Sequence, residues 1–132
     1  MADLHQLFEK ALKVRLNAYA PYSGFKVGAA VLSSKGNIYA GANTENVSYP
    51  CGTCAEEASI AAMIAGGEYE IEDIVVVADS KNLITPCGAC LQRIKEFSGK
   101  KTTVHLANLK GIQKSYLITE LMPVAFDEDL KK

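Results

Sequence analysis

The chain has 132 residues, of which 48% are hydrophobic and 22% are charged, and its formal net charge is -1. This length suits a single domain over residues 1–132 that is large enough to bury a core. The near-neutral charge argues against a nucleic-acid-binding surface, which usually carries a strong basic excess. No apolar run approaches the ~20 residues that span a bilayer, and the first residues lack the order of a signal peptide. We therefore expect a cytoplasmic protein with no membrane or nucleic-acid partner.

The first part of the chain predicts a helix followed by a β-hairpin. Apolar residues at spacings of three and four indicate an amphipathic helix over residues 3–20, with Asp3 at its start. Apolar side chains then alternate over residues 25–31, a turn follows, and residues 38–42 form the return strand. The small residues at 28–30 would allow a helix, or a neighbouring subunit, to approach the first strand closely.

Helices and strands alternate in the rest of the chain, which is typical of an α/β fold with helices packed on a mixed sheet. The 54–65 helix has almost no polar side chains in its second half, which indicates burial either in the centre of the domain or by oligomerisation. For so small a protein we favour oligomerisation. The predicted elements are a helix at 54–65, a strand at 74–78, a helix at 88–98, strands at 103–107 and 112–117, and a helical turn at 119–122.

All four cysteines lie in two short runs, Cys51 to Cys54 and Cys87 to Cys90, and each run leads into a predicted helix. In a reducing compartment such pairs indicate metal or redox chemistry more than disulfides. Zinc is the metal that clustered thiolates favour. Cys87 and Cys90 are three residues apart and can meet one ion, and Cys54 begins the other helix. The positive N-termini of the helices favour the thiolate form of these side chains.

The cysteine pairs are compatible with two kinds of zinc site. Four cysteines would form a closed structural site, whereas a catalytic site uses three protein ligands and a water. A whole helix and a core strand separate the two pairs, and structural zinc ribbons usually have shorter, loop-rich gaps. Glu56 is two residues from Cys54, so it does not share that helix face but can reach a water held by the metal. These observations favour an open, catalytic zinc site over a closed one and over a redox dithiol.

Five stretches of the sequence occur in one order and together resemble the motifs of a known family. They resemble those of the short, homotetrameric class of zinc-dependent cytidine deaminases, along essentially the whole chain. The stretches are Ala20-Pro21-Tyr22-Ser23-Gly24-Phe25-Lys26-Val27-Gly28-Ala29-Ala30, Asn43-Thr44-Glu45-Asn46, Cys54-Ala55-Glu56, Pro86-Cys87-Gly88-Ala89-Cys90 and Leu121-Met122-Pro123-Val124-Ala125-Phe126.

The resemblance implies a three-layer α-β-α fold with a mixed central sheet of about five strands. It also implies hydrolytic deamination of cytidine and deoxycytidine to uridine and deoxyuridine, a step of pyrimidine salvage. One Zn²⁺ per chain would be held by Cys54, Cys87 and Cys90. Glu56 would take a proton from the zinc-bound water and deliver protons to the pyrimidine nitrogen and the leaving ammonia.

The resemblance further implies which residues bind the nucleoside. Asn43 and Glu45 would hold the ribose 3'-hydroxyl, Phe25 would stack on the pyrimidine, and Tyr49 would line the sugar site. Phe126 would enter the pocket of an adjacent subunit, so that the homotetramer shares its active sites. Ala55, within the first metal motif, completes the expected substrate-binding set.

Two positions depart from the family pattern. Glu57 stands where the three-cysteine class commonly has an arginine that offsets the charge of the thiolates, and Leu91-Gln92-Arg93 follows the second cysteine motif where the family often has Arg-Gln. Glu57 and Arg93 each lie three residues after a predicted zinc ligand, on that ligand's helix face. We therefore hypothesise that Glu57 and Arg93 pair beside the metal. Cys51 is not needed as a ligand.

Two alternative functions follow from the same residues. The first is an aminohydrolase for a cytosine-nucleoside antibiotic, similar to blasticidin deaminase; Phe25, Asn43 and Glu45 together favour a plain nucleoside instead. The second belongs to another class, a non-catalytic binding module that zinc stabilises. Glu56 distinguishes this module from an enzyme, because a structural zinc site has no use for a proton carrier.

Overall fold

Nine helices and strands follow one another within residues 3–131, the part of the chain that the computed structural model describes. A short 3-10 turn at Tyr49–Cys51 precedes the second helix. The elements are α1 Leu4–Arg15, β1 Val27–Ser33, β2 Ile38–Ala42, α2 Ala55–Ala65, β3 Ile71–Ala78, α3 Gly88–Glu96, β4 Ser98–Asn108, β5 Gly111–Leu117 and α4 Ile118–Leu121.

The five strands form one mixed sheet in the order β2-β1-β3-β4-β5. β1 pairs antiparallel with both β2 and β3, and β4 pairs antiparallel with β5. β3 and β4 pair in parallel, and α3 forms the crossover between them. The mixed five-stranded sheet is therefore confirmed.

Helices cover both faces of the sheet. Alternate residues of the central strand β3 point to opposite faces, so their contacts identify the helices on each side. Val75 and Val77 pack with Leu7, Phe8 and Ala11 of α1. Ile74 and Val76 pack on the other side, in a cluster that also holds residues of α2, α3 and α4. The unbroken apolar run of β3 is the expected sequence of a strand buried on both faces. This arrangement confirms the three-layer fold.

α1 is shorter than the helix predicted at 3–20, because the chain leaves helical geometry to pair with a later loop. α1 ends at Arg15, and Tyr19 forms a parallel bridge with Thr44. The backbone N–H of Tyr19 donates to Asn43 O at 3.0 Å, and that of Glu45 donates to Tyr19 O at 2.8 Å. The apolar stripe continued past Arg15, but these loop hydrogen bonds took the place of helical ones.

The crossover from α3 to β4 also differs from prediction. The helix predicted at 88–98 ends at Glu96, and β4 begins at Ser98 rather than at Thr103. The Ile71 N–H donates to Phe97 O at 2.8 Å, and Ile71 pairs with Ser98. The start of β3 thus pairs with the residues directly after the helix, which ends α3 early and lengthens both strands.

Two glycines allow helices to lie directly on the hairpin strands. A Cβ on Gly28 would stand 2.1 Å from the backbone oxygen of Ala11 in α1. A Cβ on Gly41 would stand 2.5 Å from the backbone nitrogen of Ser59 in α2. The prediction of close helix packing at the small residues of β1 is confirmed for Gly28, and Gly41 plays the same part for α2.

A polar cluster around one buried histidine connects β3, β4 and β5 on the α1 side of the sheet. His105 of β4 is 4% exposed, and its Nε2 lies 2.8 Å from Asp73 Oδ1 of β3. Its Nδ1 lies 2.6 Å from Ser115 Oγ of β5. One imidazole therefore links β3, β4 and β5 through both of its ring nitrogens.

Among residues 3–131, no helix has the length and apolar character needed to cross a bilayer.

Candidate active site

Two sulfurs and a carboxylate converge where α2 and α3 begin. The Sγ atoms of Cys54 and Cys90 and a carboxylate oxygen of Glu56 all lie within 4.8 Å of one another. Cys54 is the N-cap of α2, and Glu56 lies in the first turn of that helix. Cys90 and Glu56 are 1% and 6% exposed, while Cys54 is half-buried. The sheet thus brings together donor groups that stand far apart in the sequence.

The other two cysteines stand outside this group of three atoms, as far as residues 3–131 are concerned. Cys87 is the N-cap of α3, and its side chain is exposed. It precedes Cys90 by three residues, so both lie on one face of α3. Cys51 is exposed in the 3-10 turn, where its Sγ contacts Ser48 Oγ at 3.6 Å. Cys87 therefore borders the group from the same helix as Cys90, whereas Cys51 points toward a loop hydroxyl.

The environment of the group shifts the pKa of each of its members. A hydrogen bond from the Cys90 thiol lowers the pKa of Cys54 to about 7, against the opposing effect of burial. The same hydrogen bond, followed by burial and by the charges of Glu56, Cys54 and Cys87, raises the pKa of Cys90. Burial raises the pKa of Glu56. Of the two thiols in the group, Cys54 therefore ionises more readily than Cys90. Glu56 favours its protonated form more than an exposed carboxyl group does.

The predicted contact between Glu57 and Arg93 is confirmed. Arg93 Nε lies 3.6 Å from Glu57 Oε2, which joins α2 to α3 beside the donor group. Arg93 Nη1 also donates a hydrogen bond to Cys90 Sγ at 3.8 Å. The guanidinium of Arg93 thereby faces both the carboxylate of Glu57 and the sulfur of Cys90.

A cavity of about 360 Å³ lies in the loop region that precedes α2. The rings of Tyr22 and Tyr49 meet edge to face there, with centroids 6.2 Å apart. Tyr22, Ser23, Asn46 and Gly52 were not predicted as site residues, although all four lie in or beside the quoted motifs. The cavity is lined by Tyr22, Ser23, Glu45, Asn46, Tyr49 and Gly52.

The Glu45 carboxylate binds the loop that forms one wall of the cavity. Its Oε1 accepts hydrogen bonds from the backbone N–H groups of Tyr22 at 3.0 Å and Ser23 at 3.1 Å, and Oε2 accepts one from the Ser23 hydroxyl. The Ser23 hydroxyl and the two N–H groups lower the pKa of Glu45. A carboxylate has about four lone-pair sites, so an ionised Glu45 can still accept one further hydrogen bond.

The Asn43 side chain likewise hydrogen-bonds the backbone on either side of Lys26, next to Phe25. Its Oδ1 accepts from the Val27 N–H at 2.8 Å, and its Nδ2 donates to the Phe25 carbonyl at 2.9 Å. An amide carries two donors and two lone pairs, so one of each is still available for a ligand. Asn43 and Glu45 both hold protein backbone, and both keep hydrogen-bonding capacity.

A backbone bridge connects the cavity to the sulfur site. Thr44 and Thr53 exchange hydrogen bonds of 2.8 and 2.9 Å, in an isolated antiparallel bridge. Thr44 lies between Asn43 and Glu45, and Thr53 directly precedes Cys54. Since adjacent Cα atoms are 3.8 Å apart, this bridge fixes the polar wall of the cavity close to the first donor of α2.

The aromatic residues predicted to bind substrate are accessible. Phe25 is 37% exposed and precedes β1, while Tyr49 is 76% exposed. Phe126 is 73% exposed, and its backbone oxygen accepts from Gln92 Nε2 at 2.9 Å, which ties the C-terminal segment to α3. Ala55, by contrast, is fully buried at the start of α2.

Residues 1–106 match the family described as the cytidine and deoxycytidylate deaminase zinc-binding region. The chain belongs to this family. The matched range includes the cavity, both cysteine runs and Arg93, and it ends within β4. The resemblance inferred from the sequence motifs is therefore confirmed.

Cytidine deaminases from several bacteria are similar to the chain over nearly its full length. The enzyme of Halalkalibacterium halodurans is 41% identical over 124 residues, covering 94% of both chains. That of Sporosarcina psychrophila is 39% identical over 127 residues, covering 96% of this chain and 93% of the relative. The crystal structure of the Burkholderia pseudomallei enzyme has 38% identity and a TM-score of 0.89, and covers 95% of this chain and all of that one.

The donor set of this deaminase-family chain fits zinc. Thiolates are preferred zinc ligands, and Zn–S bonds of ~2.3 Å place tetrahedral sulfur ligands about 3.8 Å apart. The 4.8 Å limit on the separations of Cys54, Glu56 and Cys90 accommodates that spacing. The position of two cysteines at helix N-caps further favours their deprotonated form. Zinc is therefore the cofactor of this family member.

Proposed function

We propose that the protein is a cytidine deaminase that hydrolyses cytidine and deoxycytidine to uridine and deoxyuridine, releasing ammonia. The observation that carries this proposal is the convergence of the Cys54 and Cys90 sulfurs with the buried Glu56 carboxylate. Family membership supports the reaction class, because the similar proteins are named cytidine deaminases.

Cys54, Cys87 and Cys90 would hold the zinc ion in this proposal. Cys54 and Cys90 already lie close together, and Cys87 shares a helix face with Cys90. Bound zinc supplies Lewis-acid activation of the attacking water near neutral pH. Three cysteine ligands leave a fourth coordination position open, as a catalytic zinc site requires.

Glu56 would carry the protons of the reaction. It takes one proton from the attacking water and delivers it to the ring nitrogen next to the amino-bearing carbon. It then passes the second proton to the amino group, which leaves as ammonia. Burial raises the pKa of Glu56, so its protonated form is accessible during the cycle. Proton transfer by a positioned carboxyl group typically contributes about 10²–10⁴-fold in rate.

The nucleoside would bind across the cavity next to α2. The free hydrogen-bonding capacity of Asn43 and Glu45 suits the ribose 3'-hydroxyl, and Phe25 offers an exposed ring for stacking on the pyrimidine. Tyr49 lines this cavity and would contact the sugar. Ala55 would contact the substrate at the start of α2.

We further propose a homotetramer in which Phe126 of one subunit enters the active site of the next. Phe126 and Val124 are 73% and 94% exposed, which is unusual for large apolar side chains in one segment. Ala61 and Ala65 of α2 are also exposed and leave a flat apolar surface for close packing. We also propose a cytoplasmic location, because all four cysteines are free thiols and the cytoplasm is reducing. The proposed reaction would serve pyrimidine salvage.

The proposal is tested by incubating the zinc-loaded protein with cytidine and following its ultraviolet absorbance. The Glu56→Gln variant should keep stoichiometric zinc and lose turnover by at least about 10²-fold. Cys54→Ser should lose zinc, whereas Cys51→Ser should keep both zinc and activity. Absence of turnover on cytidine and deoxycytidine by the native, zinc-loaded protein would refute the proposal, and so would equal zinc loss in the two cysteine variants.

A further inference from the structure

Arg93 makes two different contacts beside the sulfur site, each through a separate nitrogen. Its Nη1 donates to Cys90 Sγ at 3.8 Å, and its Nε lies 3.6 Å from Glu57 Oε2. Cys90 is 1% exposed, whereas the Arg93 and Glu57 side chains are 41% and 38% exposed. The guanidinium therefore extends from the protein surface to a buried donor atom.

The charge at this site needs a cation. Three thiolates and Zn²⁺ carry a net charge of -1, and the Glu56 carboxylate adds to it when ionised. Burial of the donors strengthens these repulsions because the local dielectric constant is low. A charge-assisted N–H···S hydrogen bond from Arg93 would disperse negative charge from Cys90, in the manner of the outer-shell contacts that tune metal ligands.

Glu57 gives this contact its direction. A guanidinium is planar and rigid, so a carboxylate that holds Nε also fixes the direction in which Nη1 points. Glu57 reaches Nε from α2, and the sulfur that Nη1 meets belongs to α3. A lysine in place of Arg93 would have a single nitrogen and could not keep both partners in this geometry.

An ordinary surface ion pair is the simpler explanation, and pairs as exposed as this one contribute little to stability. The sulfur contact goes beyond that explanation, because the same guanidinium also touches a buried donor of the metal site. We propose that Arg93 is a positioning residue for the zinc-binding thiolates, supplied by α3 and oriented by Glu57 of α2. This inference rests on the proposed function for its ligand set and concerns zinc binding itself.

The test measures zinc affinity of the full-length protein by competition with a fluorescent chelator. Arg93→Gln should bind zinc about 10–100-fold more weakly, the usual cost of losing an outer-shell contact. Arg93→Lys, which keeps the charge, should fall between Arg93→Gln and the native protein. Lys13→Gln removes a charge from the exposed surface of α1, on the other side of the sheet, and should leave the affinity unchanged.

The second arm of the test uses Glu57. In the Arg93→Gln background, Glu57 is a carboxylate left without its guanidinium next to the thiolates. Adding Glu57→Gln should therefore restore part of the lost zinc affinity. A double variant that binds zinc no more tightly than Arg93→Gln would overturn the proposal, as would native affinity in Arg93→Gln itself.

A spectroscopic readout separates this role from general loss of structure. In the cobalt-substituted protein, loss of the hydrogen bond to Cys90 raises the energy of the sulfur lone pair, so the sulfur-to-cobalt charge-transfer band should move to longer wavelength in Arg93→Gln. An unmoved band would contradict the sulfur contact. These measurements do not depend on turnover, so a native protein that shows them but fails to deaminate cytidine would refute only the proposed function.

Discussion

The Nδ2 atom of Asn43 donates a hydrogen bond of 2.9 Å to the backbone carbonyl of Phe25. The Oδ1 atom of the same side chain accepts from the Val27 N–H at 2.8 Å. One amide therefore holds the chain on both sides of Lys26, where it enters β1. The backbone that carries the Phe25 ring is therefore held by Asn43.

Asn43→Asp should lower kcat/KM for cytidine by at least about tenfold, because the variant loses the donor to Phe25 and sets a carboxylate against its carbonyl. Steady-state kinetics on cytidine checks this expectation. Asn108→Asp is the matched control, because within residues 3–131 the Asn108 side chain hydrogen-bonds through Oδ1 and not through its amide nitrogen. That oxygen accepts from Lys110 N at 2.8 Å, Gly111 N at 3.2 Å and Gln113 Nε2 at 3.3 Å. Equal kinetics in the two variants would contradict a positioning role for Asn43.

Glu68 should make stability depend on pH in the acid range. Its Oε2 accepts hydrogen bonds from Asn37 Nδ2 at 2.8 Å and from the Tyr39 hydroxyl at 2.5 Å. The hydrogen bond from Tyr39 leads the effects that lower the pKa of Glu68. Since the folded pKa lies below the unfolded value of 4.5, the stabilisation is complete above that value and is lost as pH falls through the folded pKa.

Urea denaturation of the native protein and of Glu68→Gln, at a series of pH values, measures this effect. Glu68→Gln should be less stable at pH 7, and the difference in the free energy of unfolding should shrink as the solution is made acidic. A difference that stays constant down to pH 3 would exclude the carboxylate charge as its source.

His105→Ala should lower the free energy of unfolding by roughly 1–3 kcal/mol, because it leaves the Asp73 carboxylate without its buried partner. Zinc affinity should be unchanged, since His105 lies on the α1 side of the sheet. His5→Ala is the control: that side chain is 79% exposed, so a change within about 0.5 kcal/mol is expected. Urea denaturation of the two variants measures this difference, and an equal, small change in both would contradict a stabilising link from His105 across three strands.

Mixing two inactive variants should restore activity if subunits share their active sites. Glu56→Gln lacks the proton carrier, and Phe126→Ala lacks the aromatic residue expected from the neighbouring subunit. Subunit exchange creates sites that contain native Glu56 and native Phe126 from different chains, so activity should rise above that of either parent. Activity that stays at the average of the parents would indicate sites built within one subunit.

The sequence allowed the residues of the zinc site to be predicted more completely than the residues that line the cavity. Cys54, Glu56 and Cys90 could be found from residue type and spacing, because soft thiolates and a nearby carboxyl group have few other combined uses. The contact between Glu57 and Arg93 followed from helix periodicity together with the predicted zinc ligands that each residue follows. Such features depend on local spacing, which a sequence displays directly.

Features that depend on long-range pairing were missed or misplaced. The end of α1 at Arg15 reflects hydrogen bonds from Tyr19 to the loop after β2, and no local signal marks that competition. The cavity wall of Tyr22 and Ser23 likewise depends on a carboxylate from Glu45, far along the chain. The link between Asp73 and His105 joins neighbouring strands whose pairing no short motif reveals.

The parallel pairing of β3 with β4 has a consequence for the order of assembly. Cys54, at the start of α2, is synthesised before β3, whereas Cys87 and Cys90 lie at the start of the crossover helix α3, which is synthesised after β3. Parallel pairing closes a long loop and forms slowly compared with a hairpin. A nascent or truncated chain that stops before Cys90 therefore lacks a donor of the site, and zinc capture would report that the crossover has been completed.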